Sequence, residues 1–132
     1  ETSIAEKFEA ATTLGLLNTR MKDYFDLWHL AKGFAFEGRA VSESIRATFE
    51  RRAKALPATV PVGFTEEFWS DPRRQAMWAA FGKKSVRTMP FPSLEEVVTF
   101  VATFIVPPAL AASRDETFDQ NWQAGGPWLP QS

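Results

Sequence analysis

On one predicted helix Lys22, Asp26 and His29 recur at i, i+4 and i+7, and Asp23 lies three residues before Asp26. Both carboxylates can therefore face one side, a turn apart. Paired carboxylates beside a lysine suit phosphoryl transfer: one accepts a proton or helps hold a magnesium ion, while the ammonium offsets triphosphate charge. Two more cations stand close in sequence. Arg20 immediately precedes this helix, and Lys7 sits among Ala5, Phe8 and Ala11 on the largely apolar helix before it. The same residues also suit a solvated helix face. There a Lys22–Asp26 pair contributes roughly a few tenths of a kcal/mol, and Lys7 lays its stem on apolar surface with its ammonium in water. Spacing alone leaves both readings open.

The elements that must position these groups are helical. Ile4, Phe8 and Ala11 repeat at helical spacing until Gly15 offers a stop. After a short "LLN" linker, Met21, Phe25 and Trp28 predict the core stripe of a second helix, with Tyr24, Leu27 and Ala31 widening it until Gly33, so the two helices form a hairpin. Folding the first back along the second would bring Lys7 and Asp26 into one cleft. A third helix is predicted over residues 37–56, with Val41, Ile45, Thr48, Phe49 and Leu56 on one face, Arg46–Glu50 and Glu50–Lys54 pairs on the other, and Pro57 as its end. "PATVPVGFT" reads as loop and Thr65 to Trp69 as one helical turn.

Asp71 followed by Pro72 starts the next helix, whose buried side is predicted to be Met77, Trp78 and Phe81, up to Gly82. "KKSVRTMPFP" reads as a basic loop, "VRTMPF" being the one weak candidate for a strand. Ser93 with Glu96 forms a capping box before the last long helix. The tail from Asp115 is rich in turn formers and reads as irregular and aromatic. The fold class expected is all-α: one domain over residues 1–132, a compact bundle of five or six helices with an irregular aromatic C-terminal tail.

Composition excludes several functions. Fifteen Lys and Arg against sixteen Asp and Glu do not make a general polyanion binder. With no Cys and a single His, cysteine zinc sites, thiolate chemistry and histidine-rich metal sites are ruled out. No uninterrupted apolar run reaches the roughly 20 residues of a membrane helix. "LEEVVTFVATFIVPPALAA" carries paired glutamates at its start and Pro107-Pro108 near its end. A soluble, cytoplasmic protein with no membrane partner is expected. A start at Glu1, directly before a helix, reads as part of a longer chain.

The stretches "AEKFEA", "NTRMKDYFDLW", "ATFERR" and "GGPW" resemble the C-terminal part of the AbiEii nucleotidyltransferase family, toxins of abortive-infection and type IV toxin–antitoxin systems. The shared pattern is a lysine-bearing helix followed by R-x-[KR]-D-x-x-D-L. The resemblance implies that Lys7 contacts nucleotide phosphates, that Asp26 or Asp23 completes the catalytic cluster, with Asp26 favoured, and that Arg20 orients the element or touches phosphate. It further implies transfer of a nucleoside monophosphate from an NTP to an acceptor such as tRNA, and an antitoxin partner.

In that family an N-terminal nucleotidyltransferase domain supplies a glycine-rich turn and a D-x-D carboxylate pair. No D-x-D follows a glycine-rich turn here, "GGPW" standing at the end with no carboxylate after it, so Mg2+ and NTP are expected to bind only in the full-length protein, with no metal site in this chain and no activity of this chain alone. The basic clusters Arg51-Arg52-Lys54 and Lys83-Lys84-Arg87 could hold the acceptor, or serve only solubility. The competing reading is a helical interaction module that binds a protein through exposed Phe118, Trp122 and Trp128.

Overall fold

The computed structural model describes residues 1–85 and 90–131. Six α-helices carry the fold: α1 (Thr2–Leu14), α2 (Met21–Gly33), α3 (Gly38–Arg51), α4 (Glu66–Trp69), α5 (Pro72–Ser85) and α6 (Leu94–Ser113). Three short strands, β1 (Phe36–Glu37), β2 (Gln120–Trp122) and β3 (Trp128–Pro130), form an antiparallel sheet in that order. Two strands thus replace the expected irregular tail. Of the candidate strand "VRTMPF", residues 86–89 lie outside the described residues.

α6 is the central rod, with α2 and α3 packed against it and α1 lying mainly on α3. It buries eleven of its twenty residues, among them Val101, Phe104 and Ile105. Its start carries the Ser93 half of the predicted capping box, with the Glu96 amide donating to Ser93 Oγ at 3.1 Å and the Ser93 hydroxyl donating to Glu96 Oε1 at 3.5 Å. By length and composition α6 could cross a membrane, and the two prolines do not interrupt it, contrary to the sequence expectation. Its apolar surface is instead largely covered by the other helices.

Pro107 and Pro108 have no N–H, so the carbonyls four residues back lose their helical partners. One of these, Phe104 O, accepts the indole N–H of Trp128 at 2.8 Å. A second indole closes another helix end: Trp122 Nε1 and the Gly125 amide both donate to Ala31 O near the end of α2, at 2.7 and 2.9 Å. Gly126 (φ +76°) makes the turn between β2 and β3, where a Cβ would come within 2.5 Å of the Trp122 ring. Trp122, Trp128, Phe104 and Phe118 form one aromatic cluster with centroids 4.9–5.7 Å apart.

Three helix-face expectations need correction. In α2 the buried residues are Met21, Tyr24, Leu27 and Ala31, not Phe25 and Trp28. Tyr24 turns inward because its hydroxyl finds Gly63 O at 2.8 Å, and its ring stacks on Phe68. Phe25 and Trp28 are half-buried beside Phe81 and Phe91. In α5 Trp78 is buried but Met77 is exposed. Finally, α3 ends at Arg51, where Ala53 takes a positive φ of 54° and the Lys54 amide returns to Phe49 O. Arg46, expected to pair with Glu50, instead reaches Asp115, just after α6, at 2.8 Å.

Candidate functional site

α1 delivers Lys7 and α2 delivers Asp26 to the same place. Asp26 Oδ2 accepts from Lys22 Nζ at 2.8 Å and faces Lys7 Nζ at 3.8 Å. The two lysines differ in setting: the Lys7 side chain is 22% exposed, that of Lys22 75%. Lys7 also donates to Ser3 Oγ, one turn back on α1, at 3.0 Å. This contact was readable from the i, i+4 spacing but not identified there. The Lys22 ammonium is held above its ordinary pKa by the hydrogen bond it donates to Asp26 and by the charge of that carboxylate. Two ammonium groups around one carboxylate leave an excess positive charge in a partly exposed place, suited to an anionic ligand.

Asp23 is engaged elsewhere. Arg20 Nε donates to its Oδ2 at 2.6 Å, an i, i+3 pair at the start of α2 in which Asp23 is mostly covered. The two carboxylates therefore have separate cation partners, and His29 lies against the Phe25 ring. Magnesium with a triphosphate needs several oxygen ligands in a fixed arrangement. Among the described residues no three His, Cys, Asp or Glu side chains come together. Two aspartates already bonded to cations do not fit such a site by themselves.

Two members of the basic cluster at the end of α3 pair with α1, while Lys54 is exposed and outside these pairs. Arg52 reaches the buried Glu9 at 2.6 Å and Glu6 at 3.4 Å, and Arg51 reaches Glu6 at 3.5 Å. Arg51 and Arg52 thus help fasten α1 to α3. Of the second cluster, Lys83 and Lys84 are exposed on the last turn of α5, and Arg87 lies outside the described residues.

The aromatic anchors expected on the surface are turned inward. Trp122 is 1% exposed, and Trp128 and Phe118 are half-buried against Phe104 and against each other. A protein-binding module working through these three residues has lost its anchors, because their rings and indole N–H groups are used within the fold.

A groove of about 400 Å³ between the start of α2 and the outer face of α5 was not foreseen. Arg20, Lys22 and Lys84 line it together with Met21, Met77, Ala80 and Phe81. The exposed Met77 was the available sign, hidden by the assumption that an apolar residue at helical spacing is buried.

The model of the family described as "Nucleotidyl transferase AbiEii toxin, Type IV TA system" matches residues 1–100. The match includes the Lys7 and Arg20–Asp26 segments and excludes the terminal "GGPW". No curated protein and no solved structure matches the chain.

Proposed function

The chain belongs to the AbiEii family of nucleotidyl transferase toxins of type IV toxin–antitoxin systems, and from that premise we propose that it is the helical part of a nucleotidyltransferase that moves a nucleoside monophosphate from an NTP to tRNA. The observation that supports this reading most is the approach of Lys7 to Asp26 across two helices, at 3.8 Å. A solvated face needs no such meeting.

In this reading Lys7 and Lys22 offset the charge of the triphosphate, and Asp26 holds the two ammonium groups at one place. The acceptor hydroxyl oxygen bonds to the α-phosphorus, the bond from that phosphorus to the bridging oxygen breaks, and pyrophosphate leaves. Asp26 is the carboxylate placed to take the hydroxyl proton, while Asp23 anchors Arg20 at the phosphate side. Magnesium and the remaining NTP contacts belong to an N-terminal nucleotidyltransferase domain. The site then works only with that domain joined, in the cytoplasm and under the control of an antitoxin.

The test is incorporation of radiolabelled NTP into total tRNA by the full-length toxin and by its Lys7→Ala and Asp26→Asn variants. Transfer should depend on both residues. Full activity in both variants would return Lys7 and Asp26 to a solvated helix face, and robust transfer by the 132-residue chain alone would remove the need for a second domain.

A further inference from the structure

The groove beside this cluster shares Arg20 and Lys22 with the transfer reading and adds an apolar floor and Lys84, which that reading does not use. Its floor is apolar, formed by Met77, Ala80 and Phe81 of α5 with Met21 of α2. Its rim is cationic, formed by Arg20, Lys22 and Lys84, and among the described residues no carboxylate lines it. Arg20 and Lys22 are shared with Asp23 and Asp26, whereas Lys84 has no ion-pair partner among the described residues. Its volume of about 400 Å³ lies within the range of small-molecule sites.

An apolar, partly aromatic floor beside a row of cations matches an unpaired nucleotide chain. Such a chain offers a flat base to stack on one side and phosphates on the other. A base-paired duplex offers only phosphates to the rim and leaves the floor uncovered. We propose that this groove holds the unpaired end of an RNA strand, with a base over Phe81 and Met77 and a phosphate at Lys84. The proposal rests on the transfer reading for its acceptor, and it adds where that acceptor lies. Lys22 lines the groove and donates to Asp26, so the groove adjoins that carboxylate through one side chain.

The experiment is fluorescence anisotropy of a labelled RNA hexanucleotide with the 132-residue chain at low salt. The variants are Lys84→Glu, Ala80→Glu and, as a control on the neighbouring face of α5, Lys83→Glu. Ala80, Lys83 and Lys84 are all exposed, and thermal melting verifies that each variant is folded. Lys84→Glu and Ala80→Glu should each weaken binding about tenfold or more, by removing a phosphate contact or placing a carboxylate on the floor. Lys83→Glu, which makes the same charge change outside the groove, should weaken it less than about twofold.

Absence of binding would overturn the proposal. So would equal loss in the Lys83 and Lys84 variants, equal affinity for an RNA duplex, or displacement of the hexanucleotide by an equimolar amount of ATP or of an acidic peptide. The transfer assay separates the two readings. If Lys7→Ala abolishes transfer while the groove variants bind RNA normally, the groove assignment fails alone. If the groove binds RNA while Lys7→Ala and Asp26→Asn transfer at full rate, the site assignment fails and the RNA groove stands.

Discussion

The two ends of α2 put polar groups to opposite uses. At its C-terminal end the tail folds over the helix, and Trp122 and Gly125 complete the Ala31 carbonyl while Trp128 completes Phe104 O on α6. These donors meet carbonyls at or beside places where the helix ladder ends or is broken by proline, in a region where an unpaired group would be costly. At the N-terminal end Arg20, Lys22, Asp23, Asp26 and Lys7 also pair, but on the surface, where each pair is weak and replaceable. Burial makes the first set structural. Accessibility leaves the second free to exchange a carboxylate for a phosphate.

The largest effect should come from the covered end. Trp122→Ala removes a fully buried ring and the N–H that completes α2, and should cost about 3–5 kcal/mol in denaturant unfolding. A loss under about 1 kcal/mol would mean that the tail is not part of the core, and would erase the contrast.

At the open end stability and activity should separate. On the proposed transfer reading, Lys7→Ala and Asp26→Asn in a longer protein that carries the N-terminal domain should each lower transfer about a hundredfold, the scale for removing one preorganised charge. Thermal unfolding of the same variants should change far less than transfer does, because these partly exposed pairs each contribute only about 1 kcal/mol or less. Variants that lose stability in step with activity would place this end with the structural one.

Gly38→Ala sharpens the comparison at intermediate size. A Cβ there would come within 2.5 Å of Gln120 O and 2.6 Å of the Phe118 ring, so α3 and the tail must separate slightly. The expected cost is about 1–3 kcal/mol, read as a lowered denaturation midpoint.

The smallest effect is one of pH. Burial disfavours the charged form of Glu9, but hydrogen bonds from Thr13 and Arg52 and the charges of Arg52 and Lys54 outweigh it, so its pKa lies below the ordinary carboxylate value. A depressed folded-state pKa means that the contribution is complete above the unfolded value and is lost as pH falls through the folded one. Melting temperature should therefore decline on acidification below the usual carboxylate range. Glu9→Gln should flatten that decline, and an unchanged acid profile would show that the Arg52–Glu9 contact contributes nothing.

Much of this architecture is legible in the chain. Gly15 ends α1, Asp71 and Pro72 start α5, and Ser93 with Glu96 starts α6, each through bonds between residues two to four positions apart. Other features were not legible. Phe25 and Tyr24 are both aromatic and both fit a helical stripe, and only the position of Gly63, 39 residues on, decides which one turns inward. Arg51 and Arg52 read as a free basic patch until α1 is laid beside α3 with Glu6 and Glu9 facing them.

What the sequence determined by itself is the helical fold class, most helix ends and the candidate set Lys7, Arg20, Asp23 and Asp26, because periodicity, caps and motif spacing are short-range properties. The tertiary structure alone decided which aromatics are core, that the tail is a sheet closing two helix carbonyls, that Lys7 meets Asp26 while Asp23 is held by Arg20, and that a cationic groove opens beside them. The reason is that a helix pattern specifies which residues share a face. What that face meets depends on the packing of elements far apart in the chain, as with Trp122 and Ala31 at a separation of 91 residues.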